Sequence, residues 1–167
     1  MATSDPLEIL IAHDRWATQQ MIDACAKLSE PQFHQPFDIG PGSLHNTLVH
    51  MVSAMRLWTQ ILAGQEPTPR LDQDGKQRTA AQIKEIFGEV DCAFTAELRR
   101  RPLDEMVSRT RDGRTTVLPR AAVFAHVVTH GMHHRAQMLN MLRRLEVKPL
   151  PPGSVFEWSR VTYAQPS

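Results

Sequence analysis

Residues 119–145, PRAAVFAHVVTHGMHHRAQMLNMLRRL, decide how this chain is read. Pro119 opens the stretch where a helix tolerates proline, at its first turn. Ala122, Ala125, Val128, Thr129, Met132, Ala136, Leu139 and Leu142 recur at near-helical intervals. They predict one long amphipathic helix to about Leu145 with that stripe facing the core. Four of the chain's eight histidines lie here: His126, His130, His133 and His134. At about 100° per residue, His126, His130 and His134 step by about 40° and line one side of the helix. Leaving imidazoles unpaired beside a core costs roughly 1–3 kcal/mol each. A metal ion removes that cost for its ligands, and neutral imidazole is the commonest side-chain ligand.

Three more helices precede this one. Ser4-Asp5-Pro6 offers a capping side chain followed by proline, and Leu7, Leu10, Ile11, Ala17, Met21, Ile22 and Cys25 follow, predicting a first helix over about 5–28. Residues 30–42, with Pro31, Pro36, Gly40, Pro41 and Gly42, read as loop. Ser43 starts a second helix with Leu44, Leu48, Met51, Met55, Trp58 and Leu62 inward, and Gly64 ends it. Residues 65–78 are polar and long for a connection. Thr79 and Gln82 have capping-box spacing for a third helix, which runs to about Arg101 before Pro102. Val107 to Val117, around Asp112-Gly113, suggest a short hairpin. The tail from Val147 carries Pro149, Pro151, Pro152 and Pro166 and reads as irregular, with Phe156 and Trp158 packing back on the helices. The expected fold is an all-α four-helix bundle with a long crossover between its second and third helices. It forms one domain over 1–167, with a core at about 5–146 and a Pro-rich tail at 147–167.

Composition narrows the function classes. The chain has 167 residues, 41% hydrophobic and 22% charged, with a formal net charge of +1. That balance provides no strong field for nucleic acid or a membrane surface, so neither is expected as a partner. The run Arg99-Arg100-Arg101 sits at a helix C-terminus, where cations suit the macrodipole. Cys25 and Cys92 are isolated; Cys25 falls on a core stripe and Cys92 off one. With no basic leader and no long apolar run at its start, the chain is expected to be cytoplasmic.

The sharpest chemical signal is His130 and His134, four residues apart, together with His50 on the second helix. The pair projects both rings from one face. A third imidazole completes an N₃ set with open positions, a pattern of metal chemistry more than of metal stapling. The spacing equally admits satisfied core histidines. His45 lies about 140° from His50 and cannot readily share its metal. His13 and His34 read as surface or rim residues, His126 as a packing neighbour and His133 as facing the rim.

The segment His126-Val-Val-Thr-His130-Gly-Met-His133-His134-Arg135-Ala136-Gln137 resembles the signature of the DinB-like family, roughly H-x-x-x-H-x-x-H-H-R-G-Q. Ser43-Leu-His-Asn-Thr-Leu48-Val-His50, with Trp58 beyond it, is similar to the family's second helix, and His13-Asp14-Arg15-Trp16-Ala17 to its first. The resemblance spans about residues 7–146. It implies a four-helix bundle, a divalent-metal triad at His50, His130 and His134, zinc or nickel as the metal with iron as an alternative, and a homodimer. It also implies a link to low-molecular-weight thiols, as in bacillithiol transferases and mycothiol-dependent maleylpyruvate isomerases. Ala136 stands for the usual Gly, Thr18 for the Asn of a W-A-N stretch, and Leu145-Glu146 for a terminal Gly.

The leading expectation is a metal-dependent thiol S-transferase acting on a small electrophilic substrate held in the bundle cavity. The alternatives are a metal-dependent hydrolase and a non-catalytic metal- or ligand-binding stress protein.

Overall fold

Helices begin where capping side chains stand in the computed structural model, which describes residues 3–164. The Asp5 carboxylate accepts from the Leu7 amide and Pro6 fills the first turn of α1 (Pro6–Cys25). Ser43 accepts from the Asn46 amide to start α3 (Leu44–Leu62). Thr79 and Gln82 form the reciprocal box of α4 (Ala80–Arg100). Two such boxes interrupt segments expected to be irregular. Ser29 and Gln32 cap a single turn, α2 (Glu30–Phe33), inside the predicted 30–42 loop. Ser154 and Glu157 cap α6 (Val155–Thr162) in the tail. Pro31 sits in the first turn of α2, and Pro149, Pro151 and Pro152 precede α6, where the missing N–H costs nothing, whereas Pro166 lies outside the described residues.

The hairpin is longer than expected. β1 (Met106–Arg111) pairs with β2 (Arg114–Pro119) in antiparallel register, Met106 opposite Pro119 and Arg111 opposite Arg114. Asp112 and Gly113 turn the chain with φ of 50° and 73°, the two left-handed positions that an Asp-Gly turn supplies. The second strand runs directly into α5 (Arg120–Arg144).

The chain is mostly helical, and its four long helices share one core. α3 packs against both α4 and α5, and α1 packs against the same two. Leu44, Leu48, Leu62, Val123, Met138 and Leu142 are fully buried between them. No helix among the described residues is long and apolar enough to cross a membrane.

The buried face of α5 differs from the predicted stripe. Val123, Phe124, Val127, Gly131, Met138 and Met141 are buried, whereas Met132 is 59% exposed and Ala125, Thr129 and Ala136 face outward. The face is turned by roughly a third of a turn. Two arginines explain the difference, because each is buried with partners. Arg120 donates from Nη1 to the Leu62 carbonyl at 2.8 Å and from Nη2 to the Glu97 carbonyl. It thereby satisfies carbonyls in the last turns of α3 and α4, where helices lack internal donors. Arg135 donates to Asp14 at 2.6 Å and to Thr18 at 2.9 Å, so the Thr in the family's Asn position anchors α5 to α1. Gly131 sits over this pair: a Cβ there would stand 2.9 Å from both Arg135 Nη1 and Asp14 Oδ1.

The tail also departs from expectation in detail. Trp158 packs inward, but Phe156 is 71% exposed. His13, expected at the surface or rim, is buried and hydrogen-bonded through Nε2 to the Gly153 carbonyl at 2.9 Å, fastening the tail to α1.

Candidate metal centre

The rotated face of α5 grades its histidines by depth. His134 is buried, His130 half-buried and His126 exposed. α3 lies alongside and brings His50 to them. His130 Nε2 stands 3.2 Å from His50 Nε2 and 3.1 Å from His134 Nε2. These three residues form a group that could hold a metal ion.

The partners of the other ring nitrogens fix the tautomers. His50 Nδ1 lies 2.9 Å from Asp72 Oδ2. A carboxylate only accepts, so Nδ1 carries the proton and Nε2 presents its lone pair. His134 Nδ1 lies 2.9 Å from Gln137 Oε1, with the same result, while the Gln137 amide nitrogen donates to His133 Nε2 at 2.8 Å. His130 Nε2 therefore meets two lone pairs and can donate to only one of them. A cation at the centre resolves the crowding. With bonds of about 2.0–2.1 Å, the separations from His130 to His50 and to His134 each correspond to an N–metal–N angle of about 100°, near the tetrahedral value.

Asp72 is itself held in place. Arg70 grips both of its oxygens, Nε to Oδ1 at 2.8 Å and Nη2 to Oδ2 at 2.7 Å, and Ser53 donates to Oδ1 at 2.8 Å. Burial pushes the carboxyl upward, but the hydrogen bonds from Arg70, His50 and Ser53 hold it well below the usual carboxylate range. It stays ionised behind His50, the arrangement that raises the basicity of a ligating imidazole. Gln137 is backed by Gly40, whose φ of 53° brings the chain so close that a Cβ there would stand 2.1 Å from Gln137 Oε1. Replacing Asp72 by alanine is expected to weaken zinc binding about 10–100-fold while leaving the helical content intact. Competition against a chromogenic chelator, with circular dichroism beside it, checks both.

Burial, and then the neighbouring histidines, push His130 down to about 3, and burial lowers His134 as well. Both are thus neutral and ligand-ready at neutral pH. The unfolded chain takes up protons as pH falls through about 6.5, the ordinary histidine value, while native His130 resists until about 3. The metal-free protein should lose stability across that window and be insensitive to these groups above it. Denaturant titrations at pH 7 and pH 5 should show a smaller loss in His130→Gln than in the parent.

The remaining histidines stand apart from the triad. The His126 ring packs on Trp58 and beside His130, with centroids at 5.1 and 5.5 Å. His45 is buried and accepts from the Arg78 amide at 3.2 Å, which ties α3 to the start of α4. His34, expected at the surface or rim, is half-buried against Phe33 and His45. Sequence reasoning did not single out Asp72, Ser53 or Gly40. Asp72 falls in the polar 65–78 connection, whose Leu71–Gln73 turn rests on α3.

The open space beside the triad lies outside the helical core. The void among Met51, Met55, Trp58, Val127 and His130 is only about 10 Å³, room for no more than about one water, because Met and aromatic side chains fill it. Among the described residues, this void in the bundle has no room for a small organic molecule. A groove of about 750 Å³ instead runs between β1 and the 64–73 segment, with His50 and Asp72 in its wall.

A solved DinB-like protein from Bacillus cereus shares the fold, with a TM-score of 0.65 and 21% identity over 84% of this chain and 91% of that one. Protein DinB of Bacillus subtilis (strain 168) is 25% identical over 146 residues, which cover 81% of this chain and 83% of the relative. The DinB family model matches residues 1–158, and with it the whole histidine constellation: the chain belongs to the DinB family.

Proposed function

We propose that His50, His130 and His134 hold one divalent metal, zinc or nickel with ferrous iron as the alternative, and that the protein is a metal-dependent thiol S-transferase. The observation that carries this reading is that His130 Nε2 lies 3.2 Å from His50 Nε2 and 3.1 Å from His134 Nε2, with Asp72 and Gln137 holding the outer nitrogens of those two rings. Three neutral nitrogen donors leave coordination positions open, as catalytic sites do. When bound, the metal supplies Lewis acidity that favours the thiolate form of a thiol. The thiol has to come from outside. Burial pushes the Cys25 thiol up to about 12, and neither Cys25 nor Cys92 is among the residues lining the groove. A sulfur–carbon bond then forms to the electrophilic substrate, the leaving group departs with the bonding pair, and the thiol proton passes to solvent. Asp72 and Gln137 keep the imidazoles oriented throughout.

Within this reading the four long helices are the family's four-helix bundle with a crossover over residues 63–79. The protein is a homodimer in a reducing compartment, and its partner is a small molecule rather than nucleic acid or membrane. Zinc-loaded protein incubated with an aryl halide should consume it only when a low-molecular-weight thiol is present, and chelation should abolish the rate. Thiol-independent hydrolysis of an activated ester would replace this reading with the hydrolase. Metal binding with neither activity would leave a metal- or ligand-binding protein.

A further inference from the structure

The groove beside His50 is cationic in an organised way. Arg109 and Arg111 are two residues apart on β1 and both line it, and Arg70 stands in the same lining. Arg70 is committed, its guanidinium spent on both oxygens of Asp72. Among the described residues Arg111 forms an ion pair with Asp112 alone, at 3.3 Å, and both of those side chains are well exposed, so the contact contributes little. Arg109 has no carboxylate partner among the described residues. Its guanidinium lies 4.8 Å over the Trp58 ring and is half-buried. Burial, then Arg111 and Arg70, push Arg109 below the usual guanidinium range, which marks a desolvated cation among cations. Glu66 is exposed at the groove's edge.

The rest of the lining fits an organic ion rather than a bare one. Leu57, Ile61 and Pro67 supply an apolar side, and His50 forms part of the wall. The Trp58 ring that carries Arg109 also packs against the His126 ring, which in turn neighbours His130. The cation is thus fixed by stacking beside the triad rather than left to sweep through solvent.

We propose that this groove is the binding site for a small organic oxyanion, a carboxylate or phosphate ester, whose charged end is held by Arg109 and Arg111 and whose reactive end reaches the histidine triad. This rests on the reading of the triad as the reacting centre, and it names the class of molecule that centre serves. Arginine forks match both anions in two-point contacts, so the shared chemistry is the planar or tetrahedral oxyanion.

The test is calorimetric titration of inorganic phosphate, of succinate and of neutral succinamide into metal-free and zinc-loaded protein, with zinc content measured on each sample. Saturable binding of phosphate or succinate to metal-free protein, absent with succinamide, is expected, and the tighter of the two anions identifies the source. Arg109→Gln and Arg111→Gln should each weaken that binding about tenfold or more without changing zinc content. Because β1 lies outside the packed core of the four long helices, circular dichroism of the two variants should match the parent. Anion binding that appears only with zinc, or that survives both substitutions, would overturn the proposal, as would no binding of either anion. Anion binding to metal-free protein in a sample that takes up no zinc would leave the groove standing and remove the metal reading.

Discussion

His130→Ala should lose more than a hundredfold in zinc affinity while folding at least as well as the parent without metal. The first half follows from its central position: His130 Nε2 is the atom that both other Nε2 atoms approach. Removing a ligand costs more than removing the groups that orient it, for which 10–100-fold is typical. The second half follows from the crowding in the metal-free site. Three imidazoles share one small space there, and burial and like neighbours hold His130 neutral down to about 3. Deleting it relieves that conflict. Zinc titration and thermal melts in chelator check the two halves together. A variant that keeps its zinc would contradict the triad, and one that melts far below the parent without metal would make His130 a packing residue.

Arg135→Met should destabilise the fold by about 3–5 kcal/mol, because it strands the Asp14 carboxylate in the interior. Both side chains of this pair are only 6% exposed, and Arg135 also holds Thr18. The cost belongs mainly to the orphaned charge rather than to the lost attraction. The double variant Asp14→Leu/Arg135→Met, apolar at both positions, should therefore recover most of it. Denaturant unfolding of the parent, the single and the double variant measures this. If the double variant proved no more stable than the single, the uncompensated charge would not be the cause.

Much of the backbone was legible because its signals are local. Thr79 with Gln82, Ser43 with its following stripe, and Asp112-Gly113 each act within a few residues, and each stands where expected. The capping boxes at Ser29 and Ser154 carry the same signal and were masked by the prolines around them. The inward face of α5 departs from the expected stripe because it carries Arg120 and Arg135, charged side chains that hydrophobic periodicity does not count as core. Their burial depends on the carbonyls of Leu62 and Glu97 and on Asp14, which only the tertiary fold brings near.

The candidate site divides in the same way. His130 and His134 announce themselves by helical spacing. His50 joins them across α3 and α5, and its partner Asp72 lies in a polar connection that nothing in its own neighbourhood distinguishes. The groove was illegible for a related reason. It needs β1 to stand opposite the 64–73 segment, and neither stretch is apolar enough to suggest a cavity.

X-ray absorption at the zinc edge, on protein loaded with one equivalent of zinc, tests the central claim most directly. Three imidazole nitrogens at about 2.0–2.1 Å, further light scatterers completing the shell, and no sulfur are expected. A sulfur shell near about 2.3 Å, or fewer than three imidazoles, would contradict it.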